Sequence, residues 1–282
     1  MTDSHDRATG APGALTRGSR IRAALAAAAA EERAALVAYL TAGDPSPDET
    51  PTIVAAAFEA GADVVELGVP FSDPNADGVV IQEAMQRALA AGGGLSATLE
   101  VVRRVRERGC EGPIVLFGYY NPIFVRGVDR FAAEAEAAGA DAALTVDLPV
   151  DEAAELAGPL AVHGLDVVPL VAPTTSIERV AAVRPLQPSF VYYISMTGIT
   201  GAAFQGTSGG PERVAAIRAA AGAPVAVGFG IKTADDARAV ATYADAVVVG
   251  SAIVRRIAEA GPGRAAQAVA DLVAELRAGL SR

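Results

Sequence analysis

Residues 63–78 read DVVELGVPFSDPNADG. Asp63-Val64-Val65 opens as a buried strand, and Glu66 arrives near its end. A loop of Pro, Ser, Asp, Asn and Gly follows and carries Asp73 and Asp77. Burying even a neutral polar group without a partner costs on the order of 2–7 kcal/mol, and a carboxylate costs more. A chain that places Glu66 there has a partner for it or a use for it. Asp77, eleven positions on, lies in a loop able to fold back over the strand end. Two carboxylates in unlike environments can hold different protonation states and do different jobs.

The same punctuation recurs outward from this stretch. Gly-Ala-Asp stands at 61–63 and again at 139–141, where glycine stops a helix and aspartate turns into a strand. Apolar runs, most of them rich in Val and Ile, fall at 35–41, 63–69, 113–120, 142–148, 166–172, 190–196, 224–229 and 245–250. Most are continuous rather than alternating, as suits parallel strands buried on both faces. Between them the pattern predicts helices at about 48–60 (capped by Asp48), 79–91, 96–108 (opened by Ser96), 127–138, 151–162, 175–183, 211–221 and 233–242. Helix also follows the last strand, and the triplet Gly92–Gly94 separates two of the others. A further helix at about 19–33, with Ser19 offered as N-cap, precedes the first strand. Residues 1–17, polar and rich in Gly and Ala, are expected to form a disordered tail.

Eight βα units without a break predict one α/β domain, a (β/α)8 barrel over residues 18–282 with an extra N-terminal helix. The alternative is an open doubly wound sheet. That fold would usually place its phosphate loop after the first strand, and no G-x-G-x-x-G occurs there.

Composition narrows the function. Net charge is −10, and Lys232 is the only lysine among 23 basic residues. This argues against a general nucleic-acid or anionic-membrane surface. It leaves room for a phosphate ligand, because backbone N–H groups hold phosphate without a basic surface. The single cysteine, Cys110, precludes an intrachain disulfide, and His5 and His163 lie far apart with no metal-ligand spacing. No apolar run reaches 18 residues, so no membrane span is expected. The alanine-rich stretch 23–30 runs straight into Glu31-Glu32-Arg33, which reads as a surface helix rather than a leader, and a cytoplasmic location is expected.

In a barrel of this kind the active site lies at the C-terminal strand ends. The polar residues fall there: Asp44 after the first strand, Glu66, Asp73 and Asp77 after the second, Tyr119, Tyr120 and Asn121 after the third, and Asp147 after the fourth. Thr197 and Thr200 follow the sixth strand. Glycines cluster late, in TGITGAAFQGTSGG after that strand, GFGIKT after the seventh and VGSAIV after the eighth. Such loops let backbone N–H groups approach an anion at a helix start. A phosphate end is expected near strands seven and eight, with the reacting end across the mouth beside Glu66.

Taken together, these motifs resemble the tryptophan synthase alpha subunit family over about residues 20–280. ELGVPFSDPNADG resembles that family's catalytic signature, and YLTAGDP, GYYNPI, DLPVDE, TGITG and GFGIKT fall in its order and spacing. The resemblance implies retro-aldol cleavage of indole-3-glycerol phosphate to indole and glyceraldehyde 3-phosphate. It implies no cofactor in this chain, and a beta subunit carrying pyridoxal phosphate as partner in an alpha2beta2 tetramer. By the same resemblance Glu66 is the general acid/base and Asp77 faces the indole N–H. Tyr119, Tyr192 and Thr200 would line the substrate pocket, and Gly201, Gly230, Gly250 and Ser251 would hold the phosphate. Asn75 and Val79 depart from the family pattern, in a loop expected to meet the beta subunit.

The residues alone leave other readings open. Asp77 before Gly78 also suits a plain turn, and Asp147 before Leu148-Pro149 could simply order the end of its strand. A Schiff-base aldolase would need a lysine at a strand end, and Lys232 lies just past Gly230. A lyase acting without a partner, or a subunit that binds the ligand without turning it over, would carry many of the same residues.

Overall fold

The computed structural model describes residues 18–194, 210–228, 230–261 and 263–281. The expected tail, 1–17, and the loop bearing Thr197, Thr200 and Gly201 lie outside the described residues.

The strands are β1 (Ala35–Thr41), β2 (Val64–Gly68), β3 (Ile114–Gly118), β4 (Ala142–Thr145), β5 in two segments (Asp166–Val167 and Leu170–Val171), β6 (Val191–Ile194), β7 (Val225–Gly228) and β8 (Ala246–Val249). All pair in parallel. The two segments of β5 stand at opposite ends of the sheet order, the first against β4 and the second against β6. Only Val168-Pro169 separates them, so the sheet closes on itself through this strand. Val168 donates its N–H to Ala143 at 2.9 Å, while the Pro169 carbonyl accepts from Tyr192 N–H at 2.9 Å. The expected single strand over 166–172 is interrupted because Pro169 has no N–H to give the ladder. Eight strands closing in this way make the expected (β/α)8 barrel.

Alternation along the strands sorts the core into two layers. Leu36, Ala38 and Leu40 of β1 face outward, toward the helices, with Val65 and Leu67 of β2. Ala35, Val37 and Tyr39 face the barrel interior, with Val64 of β2 and Val115 and Phe117 of β3. The N-terminal helix α1 (Ser19–Ala30) adds Ile21, Leu25 and Ala28 to that interior cluster. It therefore plugs the barrel at the end where the strands begin.

That end is tied by aspartates. Asp63 accepts from Leu36 N–H at 2.7 Å and pairs with Arg33 at 2.6 and 2.7 Å. Asp141 accepts from Ile114 N–H and pairs with Arg106 and Arg20. Asp245 accepts from Val225 N–H and pairs with Arg218. Each aspartate immediately precedes one strand and satisfies an N–H at the start of a neighbouring one, which gives the repeated Gly-Ala-Asp a structural role.

Outside the barrel run α2 (Thr50–Glu59), α3 (Val79–Ala90), α4 (Leu95–Glu107), α5 (Tyr120–Arg126), α6 (Val128–Ala138), α7 (Ala154–Val162), α8 (Ile177–Ala181), α9 (Gly210–Ala221), α10 (Ala234–Ala241), α11 (Ser251–Ala260) and α12 (Ala265–Ala278). No helix of the described residues is long and apolar enough to cross a membrane.

Several boundaries differ from expectation. α5 begins where GYYNPI was expected to finish a strand at Tyr120. Asp147 accepts the Tyr120 N–H at 2.7 Å and so starts the helix, with Pro122 tolerated in its first turn. Asp48 does not cap α2. It pairs with Arg104, and Ser46 Oγ accepts the Glu49 N–H instead. Ser19 and Ser96 cap nothing either. α1 is preceded by Gly18 at φ +62° and α4 by Gly94, neither helix with a side-chain cap, and Ser96 Oγ accepts from Arg126.

Candidate active site

Glu66 follows Val64 by two residues on β2, so it shares that residue's inward face. It pairs in register with Tyr39 on one side and Val115 on the other. Its side chain is fully buried, and neither carboxyl oxygen has a hydrogen-bond partner among the described residues. Burial alone raises its pKa to about 8, so the group is mainly protonated at neutral pH. A carboxyl in that state can give a proton and then take one back.

Asp77 is held by the end of the next strand. Tyr119 donates its hydroxyl to Asp77 Oδ2 at 2.7 Å and accepts the Ala76 N–H at 2.9 Å. Gln82 Nε2 donates to the Asp77 carbonyl at 2.8 Å, which ties the loop to the first turn of α3. Burial pushes the Asp77 carboxyl up, and the Tyr119 bond pulls it partly back. Tyr119 in turn stacks near Phe71, with ring centroids 5.0 Å apart.

Both carboxyls line one cavity of about 350 Å³ inside the barrel mouth, within the size range of small-ligand sites. Tyr39, Phe117 and Tyr192 supply its aromatic wall. Burial holds both phenols well above their ordinary pKa, so they remain neutral donors. Two inward glycines make room for them. A Cβ at Gly68 would meet the Tyr39 hydroxyl at 2.2 Å, and one at Gly228 would meet that of Tyr192 at 2.3 Å.

Gly230, Gly250 and Ser251 line the same cavity. Gly230 has φ +77°, a conformation that favours glycine. Ser251 is the first residue of α11 and Gly250 precedes it, so the unpaired N–H groups of a helix start lie at the cavity wall. An anion is well placed there.

The structure thus brings together Glu66, Asp77, Tyr192, Gly230, Gly250 and Ser251. Tyr119 reaches the cavity through Asp77 rather than lining it. Thr200 and Gly201 lie outside the described residues. Asp147 serves the start of α5, Asp73 accepts from Ser72, and Asp44 is buried against Arg87 with bonds of 2.8 and 2.9 Å. Lys232 lines the cavity beside Gly230. Tyr39 was missed by sequence reasoning, although counting in twos along β1 puts it in line with Val37 and inside the barrel. No group of three or more His, Cys, Asp and Glu side chains able to hold a metal occurs among the described residues.

Known proteins resemble this chain over nearly its whole length. The family described as tryptophan synthase alpha chain matches residues 25–280. The chain is 50% identical to the tryptophan synthase alpha chain of Geobacter sulfurreducens over 259 residues, covering 92% of this chain and 98% of that one. It is 48% identical to that of Burkholderia pseudomallei over 262 residues, covering 93% and 97%. Among solved structures it is similar to tryptophan synthase subunit alpha from Legionella pneumophila, with a TM-score of 0.82 and 39% identity over 92% and 97% of the two chains. A chain of Mycobacterium tuberculosis tryptophan synthase gives a TM-score of 0.84 and 36% identity over 93% and 98%.

Proposed function

The chain belongs to the tryptophan synthase alpha chain family, and from that premise we propose how its residues divide the work. Its reaction is the cleavage of indole-3-glycerol phosphate to indole and glyceraldehyde 3-phosphate, a lyase step in tryptophan biosynthesis. Cleavage needs a proton at C3 of the indole ring, so that the C–C bond can break into the ring. It also needs the proton of the side-chain hydroxyl removed as the aldehyde forms. One proton enters and one leaves, so a single carboxyl can serve both steps.

Glu66 is the proposed shuttle. Its protonated carboxyl delivers the proton to C3, and the resulting carboxylate takes the hydroxyl proton. The observation that carries this reading is a buried carboxyl on the wall of the cavity, both of whose oxygens lack a partner among the described residues. Asp77 accepts the ring N–H on the oxygen that Tyr119 does not use, and that bond strengthens as positive charge builds on the ring. Tyr192 and Tyr39 pack the ligand, while Gly230, Gly250 and Ser251 hold its phosphate. Thr200 and Gly201 are proposed to join from the loop after β6.

An alpha chain implies a beta-chain partner. An alpha2beta2 tetramer with pyridoxal phosphate in the beta chain, working in the cytoplasm, is our fuller proposal. The partner would meet the rim around β2 and β3, where Val79, Phe124 and Val125 expose apolar side chains. The test is indole release from indole-3-glycerol phosphate, alone and with a beta chain added. Wild type should release indole faster on pairing, and Glu66→Gln should release almost none while keeping its fold. Near-normal turnover by that variant would remove Glu66 from its role, and a rate indifferent to the beta chain would favour a lyase that works alone.

A further inference from the structure

Beside the phosphate end of the main cavity lies a smaller hollow of about 160 Å³. Lys232, Ser251 and Arg255 line both spaces. Ser251 and Arg255 are four residues apart on α11, hence on one face one turn apart. Lys232 is fixed at its backbone. Its N–H donates to Asp236 Oδ2 at 2.9 Å, next to the Thr233–Asp236 capping box that starts α10. The ammonium is therefore the part of Lys232 left to meet a ligand.

The cations at this hollow differ from those that tie the barrel together. Arg33, Arg87, Arg106 and Arg218 each pair with an aspartate. The side chains of Lys232 and Arg255 have no such partner among the described residues. The protein carries a net charge of −10, which opposes the approach of a phosphomonoester dianion. Screening removes distant charges beyond about 8 Å at physiological salt, so the charges lining the hollow decide the encounter: Lys232, Arg255 and Arg256 against one carboxylate, Glu259.

We propose that Lys232 and Arg255 form a cationic collar at the phosphate seat. The collar draws the phosphate group in through the smaller hollow and then holds its outer oxygens, while backbone N–H groups at Gly230, Gly250 and Ser251 hold the inner ones. This rests on the substrate assigned above and adds the groups that select a phosphorylated ligand over its dephosphorylated form. Backbone dipoles and full charges differ in one measurable respect. A seat made of N–H groups alone binds with little salt dependence, whereas a collar of cations weakens as salt rises.

The experiment compares wild type with Lys232→Ala, Arg255→Ala and the double variant between about 0.02 and 0.3 M salt. Each single variant should raise KM for indole-3-glycerol phosphate roughly tenfold, as loss of a charge-assisted hydrogen bond does, with kcat within about twofold. The double variant should flatten the salt dependence, Lys232→Arg should restore most of the affinity, and cleavage of dephosphorylated indole-glycerol should be unchanged. Inorganic phosphate gives a readout free of turnover, since it should raise the melting temperature of wild type more than that of the double variant. Equal stabilisation of the two, or an unaltered KM and salt slope, would overturn the collar. A wild type that binds phosphate through these residues yet releases no indole would instead overturn the assigned reaction. Both side chains lie toward the surface, and Gln replacements repeat the measurement should an Ala variant fold poorly.

Discussion

The carboxyl of Glu66 couples the stability of this protein to pH. Its pKa is about 8 in the folded chain against an ordinary 4.5. Between those values the folded state binds the proton and the unfolded state has lost it, so stability falls as pH rises. The full benefit of the neutral carboxyl is present below about pH 4.5 and is lost by the time pH passes about 8. Integrating the linkage gives a penalty of about 1 kcal/mol at pH 5, about 3 at pH 7 and about 5 at pH 9. Glu66→Gln keeps the shape of the side chain and cannot ionise. Whatever the amide itself costs is independent of pH, so the change across the range is the informative quantity. Urea unfolding of both proteins at half-unit steps should show the variant gaining about 4 kcal/mol on wild type between pH 5 and pH 9, through the midpoint at constant slope. Curves that stay parallel within about 1 kcal/mol would mean that Glu66 titrates as an ordinary carboxyl. The protonated shuttle proposed for catalysis would fall with them.

Two further outcomes follow from the geometry. Tyr119→Phe removes the donor to Asp77 and the acceptor of the Ala76 N–H. Because that donor lowers the Asp77 pKa, the acidic limb of the kcat/KM profile should move to higher pH. Stability should drop by only about 1 kcal/mol, and an unmoved limb would separate Tyr119 from the site. At the other end of the barrel, Asp63→Ala leaves the buried Arg33 with Glu31 as its remaining carboxylate partner and frees the Leu36 N–H. It should destabilise the protein by about 2–3 kcal/mol in urea while KM for the substrate stays within about twofold, and a kinetic defect larger than the loss of fold would contradict a purely structural role.

Much of this architecture was legible because its signals are local. Continuous apolar runs announce strands buried on both faces, and counting in twos from Val64 places Glu66 inside the barrel. What the sequence hid was decided by contacts made across the chain. Tyr119-Tyr120 has strand-forming aromatics, yet Asp147 takes the Tyr120 N–H and starts α5 there. Asp48 and Ser96 have capping side chains, but Arg104 and Arg126 engage them. In 166–172 the apolar run is unbroken, and the ladder is interrupted by the one residue without an N–H, Pro169. Tyr39 is a core residue of the barrel interior. Its second role at the cavity wall shows only when the barrel is closed and Gly68 is seen to make room for its hydroxyl.

The two ends of the barrel treat acidic side chains in opposite ways, and that contrast bears on function. At the end where strands begin, Asp63, Asp141 and Asp245 each take a backbone N–H and an arginine. A group so fully partnered has no capacity left for a ligand, and its charge is compensated in place. Within the mouth, Glu66 has neither an N–H donor nor a cation among the described residues, and Asp77 has one tyrosine hydroxyl on one oxygen. A core built only for stability would replace Glu66 with a leucine or valine, since an unpaired buried carboxyl is among the more destabilising choices available. Its place on the inward face of β2 conflicts with the packing around it. Such conflicts between a residue and its surroundings are expected at sites where chemistry, not stability, sets the choice. The partnered aspartates at the opposite rim help make that conflict tolerable, because they hold the strand starts in register while the mouth is left unsatisfied.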